Sequence, residues 1–159
     1  MKLSRNFSLQ EFEESQIAVD NNIDNYANTD QIIALTALTT ACLQKVRDEF
    51  GPVRITSGFR HPDMAHLVNS SRFSPHCEGE ASDWEVRGVD NKEVAEWCIK
   101  NLDFDQLILE FYEKGNPNSG WIHLSFKRKG GNRQQIKHAV KAPDGSTIYH
   151  ENLECEECT

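Results

Sequence analysis

Between residues 30 and 49 the apolar positions Ile32, Ile33, Leu35, Leu38, Cys42, Leu43 and Val46 fall near helical spacing. The pattern predicts a long amphipathic helix that starts at Thr29 or Asp30 and is ended by Gly51. Ser8 with Glu11 three residues on predicts a capped short helix in "FSLQEFEES", and Asp90 with Glu93 repeats the device ahead of "NKEVAEWCIKNL". Pro62 at a first-turn position predicts a helix of about two turns in "HPDMAHLVNS". "PVRIT" is a short strand, and apolar residues then alternate at period two over 104–112, 120–126, 136–140 and 147–150. Helices come mostly first and strands last, joined by connections too short for crossover helices. The expected fold is therefore α+β, with a largely antiparallel sheet, helices on one face and polar chemistry on the other.

A chain of 159 residues, 38% hydrophobic, is long enough for one sizeable core. We expect a single domain over 1–150 followed by an acidic flexible tail over 151–159, and a monomer. The formal charge of −8 disfavours nucleic acid or an anionic membrane as a partner. No window approaches the roughly 18 apolar residues of a membrane span, and the first residues lack the apolar run of a signal peptide. The chain is expected to be made and kept in a cytoplasm. Its five cysteines are irregularly spaced, a poor disulfide framework that suits a reducing compartment.

The stretch "SPHCEGEASDW", residues 74–84, concentrates His76, Cys77, three acids and Gly79. On a helix His76 and Asp83 would stand about 10.5 Å apart along the axis, too far to share a metal. If Gly79 turns the chain and "ASDWEV" enters a strand, the two side chains converge across the turn. Strand parity supplies further groups. In "GWIHLSF" the row Ile122, Leu124, Phe126 leaves Trp121, His123 and Ser125 on the opposite face. In "FDQLILEFY" the row Leu107, Leu109, Phe111 leaves Gln106, Ile108, Glu110 and Tyr112 opposite, and Asp83 likewise opposes Trp84 and Val86. Three segments thus converge on one polar floor with two histidines, an aspartate and a spare glutamate. That is the inventory of a catalytic zinc site, in which three protein ligands leave a position open for water and a carboxylate moves protons.

"ITSGFR" at 55–60, "SPHCEGEASD" at 74–83 and "GWIH" at 120–123 resemble the SGxR, SxHxxGxAxD and W-x-H motifs of the D-alanyl-D-alanine carboxypeptidase zinc peptidases, the M15 type. That group includes phage endolysins and shares its zinc fold with the hedgehog signalling domain. "NFSLQEFEESQIAVDNNIDN" and "DQLILEFY" look like the phage branch, so the resemblance covers roughly residues 5–127. It implies that His76, Asp83 and His123 bind Zn2+, that Arg60 holds a substrate carboxylate, and that Ser74 helps fix the peptide. The implied activity is hydrolysis of a D-amino-acid-containing bond in a peptidoglycan stem peptide, with release to the cell wall at host lysis or a place in a virion.

One departure stands out. Many members of that group carry an acid three residues before the last histidine, where this chain has Gly120. Either Glu110, the parity-matched candidate, is the general base, or the protein is a catalytically inactive zinc-binding virion or wall-binding component of the same fold. Cys77 should point away from His76, since adjacent residues in extended chain face opposite ways. His61, His66 and His138 show no partner pattern and are expected at the surface. Cys155 and Cys158 form a CxxC that with His150 makes half of a structural zinc site, yet a complete site wants four ligands. The expectation for this segment is the acidic tail.

Overall fold

The computed structural model describes residues 1–153. Five α-helices are followed or interleaved by a six-stranded sheet: α1 (Leu9–Glu13), α2 (Gln16–Asp20), α3 (Thr29–Leu38), α4 (Gln44–Phe50), β1 (Val53–Ser57), β2 (Ala81–Val86), α5 (Asn91–Asn101), β3 (Gln106–Glu110), β4 (Trp121–Ser125), β5 (Gln135–Lys141) and β6 (Thr147–His150). The predicted caps are present. The Glu11 carboxylate accepts from the Ser8 backbone N–H at 2.6 Å and from its hydroxyl at 2.9 Å. Asp90 accepts from the N–H groups of Lys92 and Glu93, and Gly51 ends α4 at φ 97°. A π-helical turn, Thr39–Leu43, joins α3 to α4, so the long helix runs through with one widened turn, where the Thr39 hydroxyl donates to the Leu35 carbonyl at 2.7 Å. Pro62–Val68 is a 3₁₀-helix rather than an α-helix.

The strands are ordered β1-β2-β4-β3-β5-β6. All pairings are antiparallel except β3 with β5. That parallel pair arises because the chain leaving β4 passes back and is pinned at the start of β3. The Arg133 guanidinium binds the buried Asp105 carboxylate in a two-pronged pair at 2.9 and 2.8 Å, and Gln135 N–H donates to the Asp105 carbonyl. Hydrogen bonding from Arg133 first of all holds the Asp105 carboxyl below its ordinary range.

One face of the sheet makes the core. Trp84, Val86, Leu107, Leu109, Ile122 and Leu124 pack against Phe7 and Phe12, against Leu35, Leu38, Leu43 and Val46 of the long helix, and against Val94 and Cys98 of α5. Residues between them in sequence, among them Asp83, Ile108, Glu110 and His123, take the other face by the alternation of the pleat. Two sequence expectations fail here. Phe111 is not in the inward row: it adopts φ 55° just past the end of β3, and its ring packs at a tilt against Trp121 with centroids 5.3 Å apart. That left-handed residue reverses the parity, so Tyr112 turns to the helix side, where its hydroxyl donates to Asp90 at 2.8 Å. His138 is not at the surface either. It shares the core-facing parity of Val140 on β5 and is 2% exposed. Of the segment expected as a tail, Leu153 is buried against the core, and residues 154–159, with Cys155 and Cys158, lie outside the described residues.

Candidate metal centre

His76 is delivered by a 3₁₀ turn, Pro75–Glu78, whose local sequence leaves little freedom. The Ser74 hydroxyl accepts the His76 N–H at 3.3 Å, and Pro75 fixes the first residue of the turn. Gly79 ends it at φ 74°, where a Cβ would stand 2.5 Å from the Gln31 carbonyl oxygen, so the turn and the long helix touch through a position only glycine fills. The imidazole is oriented from behind. Its Nδ1 lies 2.8 Å from the Gly58 carbonyl, which can only accept, so Nδ1 carries the proton and Nε2 presents a lone pair.

Asp83 and His123 are directly paired across β2 and β4. His123 Nδ1 lies 2.9 Å from Asp83 Oδ1, His76 Nε2 lies 3.4 Å from the same oxygen, and the two ring nitrogens are 3.3 Å apart. Both histidines are buried. Burial raises the Asp83 carboxyl, but the adjoining rings of His76 and His123 outweigh it and hold Asp83 well below the usual carboxylate range. Three donor atoms therefore form a triangle with edges of 2.9–3.4 Å. A tetrahedral zinc with bonds of about 2.0–2.1 Å wants its ligand atoms about 3.3 Å apart, so the donor set and its spacing fit that ion. Among the described residues, His76, Asp83 and His123 are the group of this kind. Cys77, buried and with its thiol raised by burial, stands outside it.

Glu110 shares the face of this triangle, paired with Trp121 and one diagonal step from His123. Burial first, then the negative charge of Asp83, push its carboxyl up to about 7, with His123 acting in the opposite direction. Gly120 has a structural cause of its own. It adopts φ 64°, and a Cβ there would stand 1.8 Å from the Glu110 carbonyl oxygen and 2.7 Å from the Phe111 carbonyl carbon. No side chain, acidic or otherwise, fits at 120 on this backbone.

Arg60 is half-buried, its backbone N–H donating to the His76 carbonyl at 3.1 Å and its guanidinium to the Ser70 hydroxyl at 3.2 Å. It makes no ion pair among the described residues. It lines a groove of about 370 Å³ with Thr56, Ser57, Phe59, Met64 and Val68. Residues 14–17 form its other wall, and Ser57 in its lining is paired with Asp83 in the sheet, although no member of the triangle lines the groove itself. A broader concavity of about 830 Å³, bounded by residues of α1, α2 and the 22–26 loop, contains none of these groups. The sequence reading missed Gly58 as the group that orients His76. Its signal was there in "ITSGFR", where the glycine next to Phe59 brings a carbonyl, not a side chain, to the site.

Comparison with known proteins agrees with this geometry. The family model described as Peptidase M15 matches residues 5–125, and the chain belongs to that family, whose members are zinc-dependent peptidases. No curated protein matches the chain.

Proposed function

We propose that this M15 chain is a zinc peptidase that cuts a D-amino-acid-containing bond in peptidoglycan stem peptides, in the manner of the phage cell-wall lytic enzymes its motifs resemble. The supporting observation is the triangle of three lone-pair donors, with edges of 2.9–3.4 Å, on one sheet face with a protonatable glutamate.

In this reading His76, Asp83 and His123 hold Zn2+, which when bound acidifies water and polarises the scissile carbonyl. Glu110 takes a proton from the attacking water onto its carboxylate and returns it to the leaving amine. Its raised pKa suits both halves of that transfer near neutral pH. Arg60, which has a planar two-pronged donor set and no ion-pair partner among the described residues, binds the free carboxylate of the peptide and so sets which bond lies over the triangle. Ser74 fixes the turn that carries His76 and offers its hydroxyl proton to the peptide. The protein acts as a single chain, on wall exposed at host lysis or reached from a virion.

The test is hydrolysis of a soluble stem peptide by the zinc-loaded protein. Cleavage that is lost with chelator and restored by zinc is expected. Arg60→Lys should raise KM by about 10-fold or more for a free-carboxylate peptide, with kcat and metal content unchanged. Bound metal without turnover on any stem peptide would overturn the assignment in favour of an inactive wall-binding component.

A further inference from the structure

Beyond the stretch matched by the family, β6 adds an aromatic side chain to the open face of the sheet. Tyr149 on β6 is paired with Ala139 on β5, and Ala139 is paired in turn with Glu110 on β3. Paired residues share a face, so Glu110, Ala139 and Tyr149 form one row across three strands on the side of the triangle. Adjacent strands lie about 4.8 Å apart, which puts about 10 Å between the backbones of Glu110 and Tyr149. In the row, the Ala139 methyl alone stands between them.

The surroundings of that methyl show the ring leaning inward. Ala139 is 1% exposed, although it stands on the open face one strand from the edge. A methyl group there is covered by the side chains beside it, and its two ladder partners are Glu110 and Tyr149. Lys137 and Lys141, its neighbours on the same face of β5, are engaged elsewhere: Lys137 Nζ lies 3.4 Å from Glu151, and Lys141 Nζ 5.7 Å from the centre of the Phe111 ring. The phenol also feels the site. Burial first, then the negative charges of Glu110 and Asp83, raise it above its ordinary range, so the hydroxyl keeps its proton and remains a donor. No group among the described residues hydrogen-bonds to it, and Tyr149 is 53% exposed. A ring with a free donor at its tip is thus presented to whatever lies over Glu110.

Strand order sets the order of contacts. From β1 to β6 the sheet presents Ser57, which lines the Arg60 groove, then Asp83, His123, Glu110 and, past Ala139, Tyr149. Five strand steps make about 24 Å, whereas an extended dipeptide covers at most about 7 Å. A dipeptide held at Arg60 cannot reach β6. We propose, resting on the reading above in which Arg60 holds the substrate carboxylate, that Tyr149 is a specificity-determining residue on the opposite, acyl side of the cut bond. Its ring packs on the peptide residues that precede that bond, and its hydroxyl donates to one of their carbonyl groups. Tyrosine suits this place, since it offers a large rigid surface with a polar tip and loses little conformational freedom when covered. The β5–β6 hairpin thereby selects extended stem peptides over free dipeptides.

The test compares two synthetic peptides with the same cut bond and free carboxylate, one carrying a single blocked residue on the acyl side and the other extended there by several residues. Zinc-loaded wild type should favour the longer by about 10-fold or more in kcat/KM, and Tyr149→Ala should bring that ratio near 1. Tyr149→Phe, which keeps the ring and loses the donor, should fall between. A residue that only supported the hairpin would lower both rates together and leave the ratio intact, and that result would overturn the proposal. So would a wild type with no preference for the longer peptide in turnover or in binding. Binding of both peptides to zinc-loaded Glu110→Gln, with and without Tyr149→Ala, separates this inference from the peptidase reading. A preference for the longer peptide that is lost with Tyr149, in a protein that never cuts, would remove that reading and keep the contact; turnover with an unchanged ratio would remove the contact alone.

Discussion

His76 and His123 stand on the open face of the sheet, and the ring nitrogens turned to their common centre face each other and Asp83 at 2.9–3.4 Å. His138 and His150 stand on the core-facing side at the other end of the sheet, and His138 holds a nitrogen that faces no partner. The residue type is the same, and in both places one ring nitrogen of a histidine is held by a backbone carbonyl. What differs is the third donor. The first pair has a carboxylate from the neighbouring strand, within the stretch matched by the family, so its geometry is complete before any ion arrives. The second lies beyond that stretch, and among the described residues no carboxylate or thiol joins it to make a group of three. Pleat parity assigns the faces, and the third donor decides whether a histidine pair has the geometry of a metal centre.

The largest effects should come from breaking the first centre. Asp83→Ala or His123→Ala should abolish turnover and remove the zinc ion, measured by metal analysis beside a peptide assay. Next comes Glu110→Gln, expected to keep its metal and lower kcat by roughly 10²-fold. The same variant has a stability signature in the metal-stripped protein. The Glu110 carboxyl is raised in the folded state, to about 7 from 4.5, so the proton it binds stabilises the fold at low pH, and that contribution is lost as pH rises through about 7. Glutamine carries no such loss. Metal-free Glu110→Gln should therefore exceed metal-free wild type in stability at pH 8 by on the order of 1–3 kcal/mol, and by little near pH 4. Denaturant melts at the two pH values check the sign.

Gly120→Ala should cost at least about 2 kcal/mol in unfolding free energy, from the left-handed backbone and the collision with the Glu110 carbonyl together. An acid introduced at 120 should do worse and restore nothing. Smallest of all, Glu113→Gln should leave turnover, metal and stability unchanged, since Glu113 is exposed and lies past the point where Phe111 reverses the strand.

Much of this was legible in the sequence for a physical reason: alternation along a strand reports directly on which face a side chain takes. His123, Asp83 and Glu110 were placed on one face from the apolar rows beside them, and the register confirms that placement. The caps at Ser8 and Asp90 were equally readable, because side-chain oxygens near helix starts have few other partners. Phe111 was misplaced because nothing in "LILEFY" signals a positive φ at a bulky residue; close approach of the Gly120 turn accompanies it, and that is a tertiary fact. His138 was misplaced because "QIKHAVK" alternates weakly, and its burial depends on the parallel pairing with β3 that the Asp105–Arg133 contact secures. Gly58 was missed because its contribution is a carbonyl oxygen, which no residue type advertises.

The central claim, that His76, Asp83 and His123 hold the peptidase metal, is tested most directly by X-ray absorption at the zinc edge on the Cys155→Ser, Cys158→Ser protein, where sulfur from that pair is excluded. We predict one zinc ion per chain with a first shell of nitrogen and oxygen only, at about 2.0–2.1 Å, lost on Asp83→Ala. A protein that binds no zinc, or one whose zinc environment is unchanged by Asp83→Ala, would contradict the account.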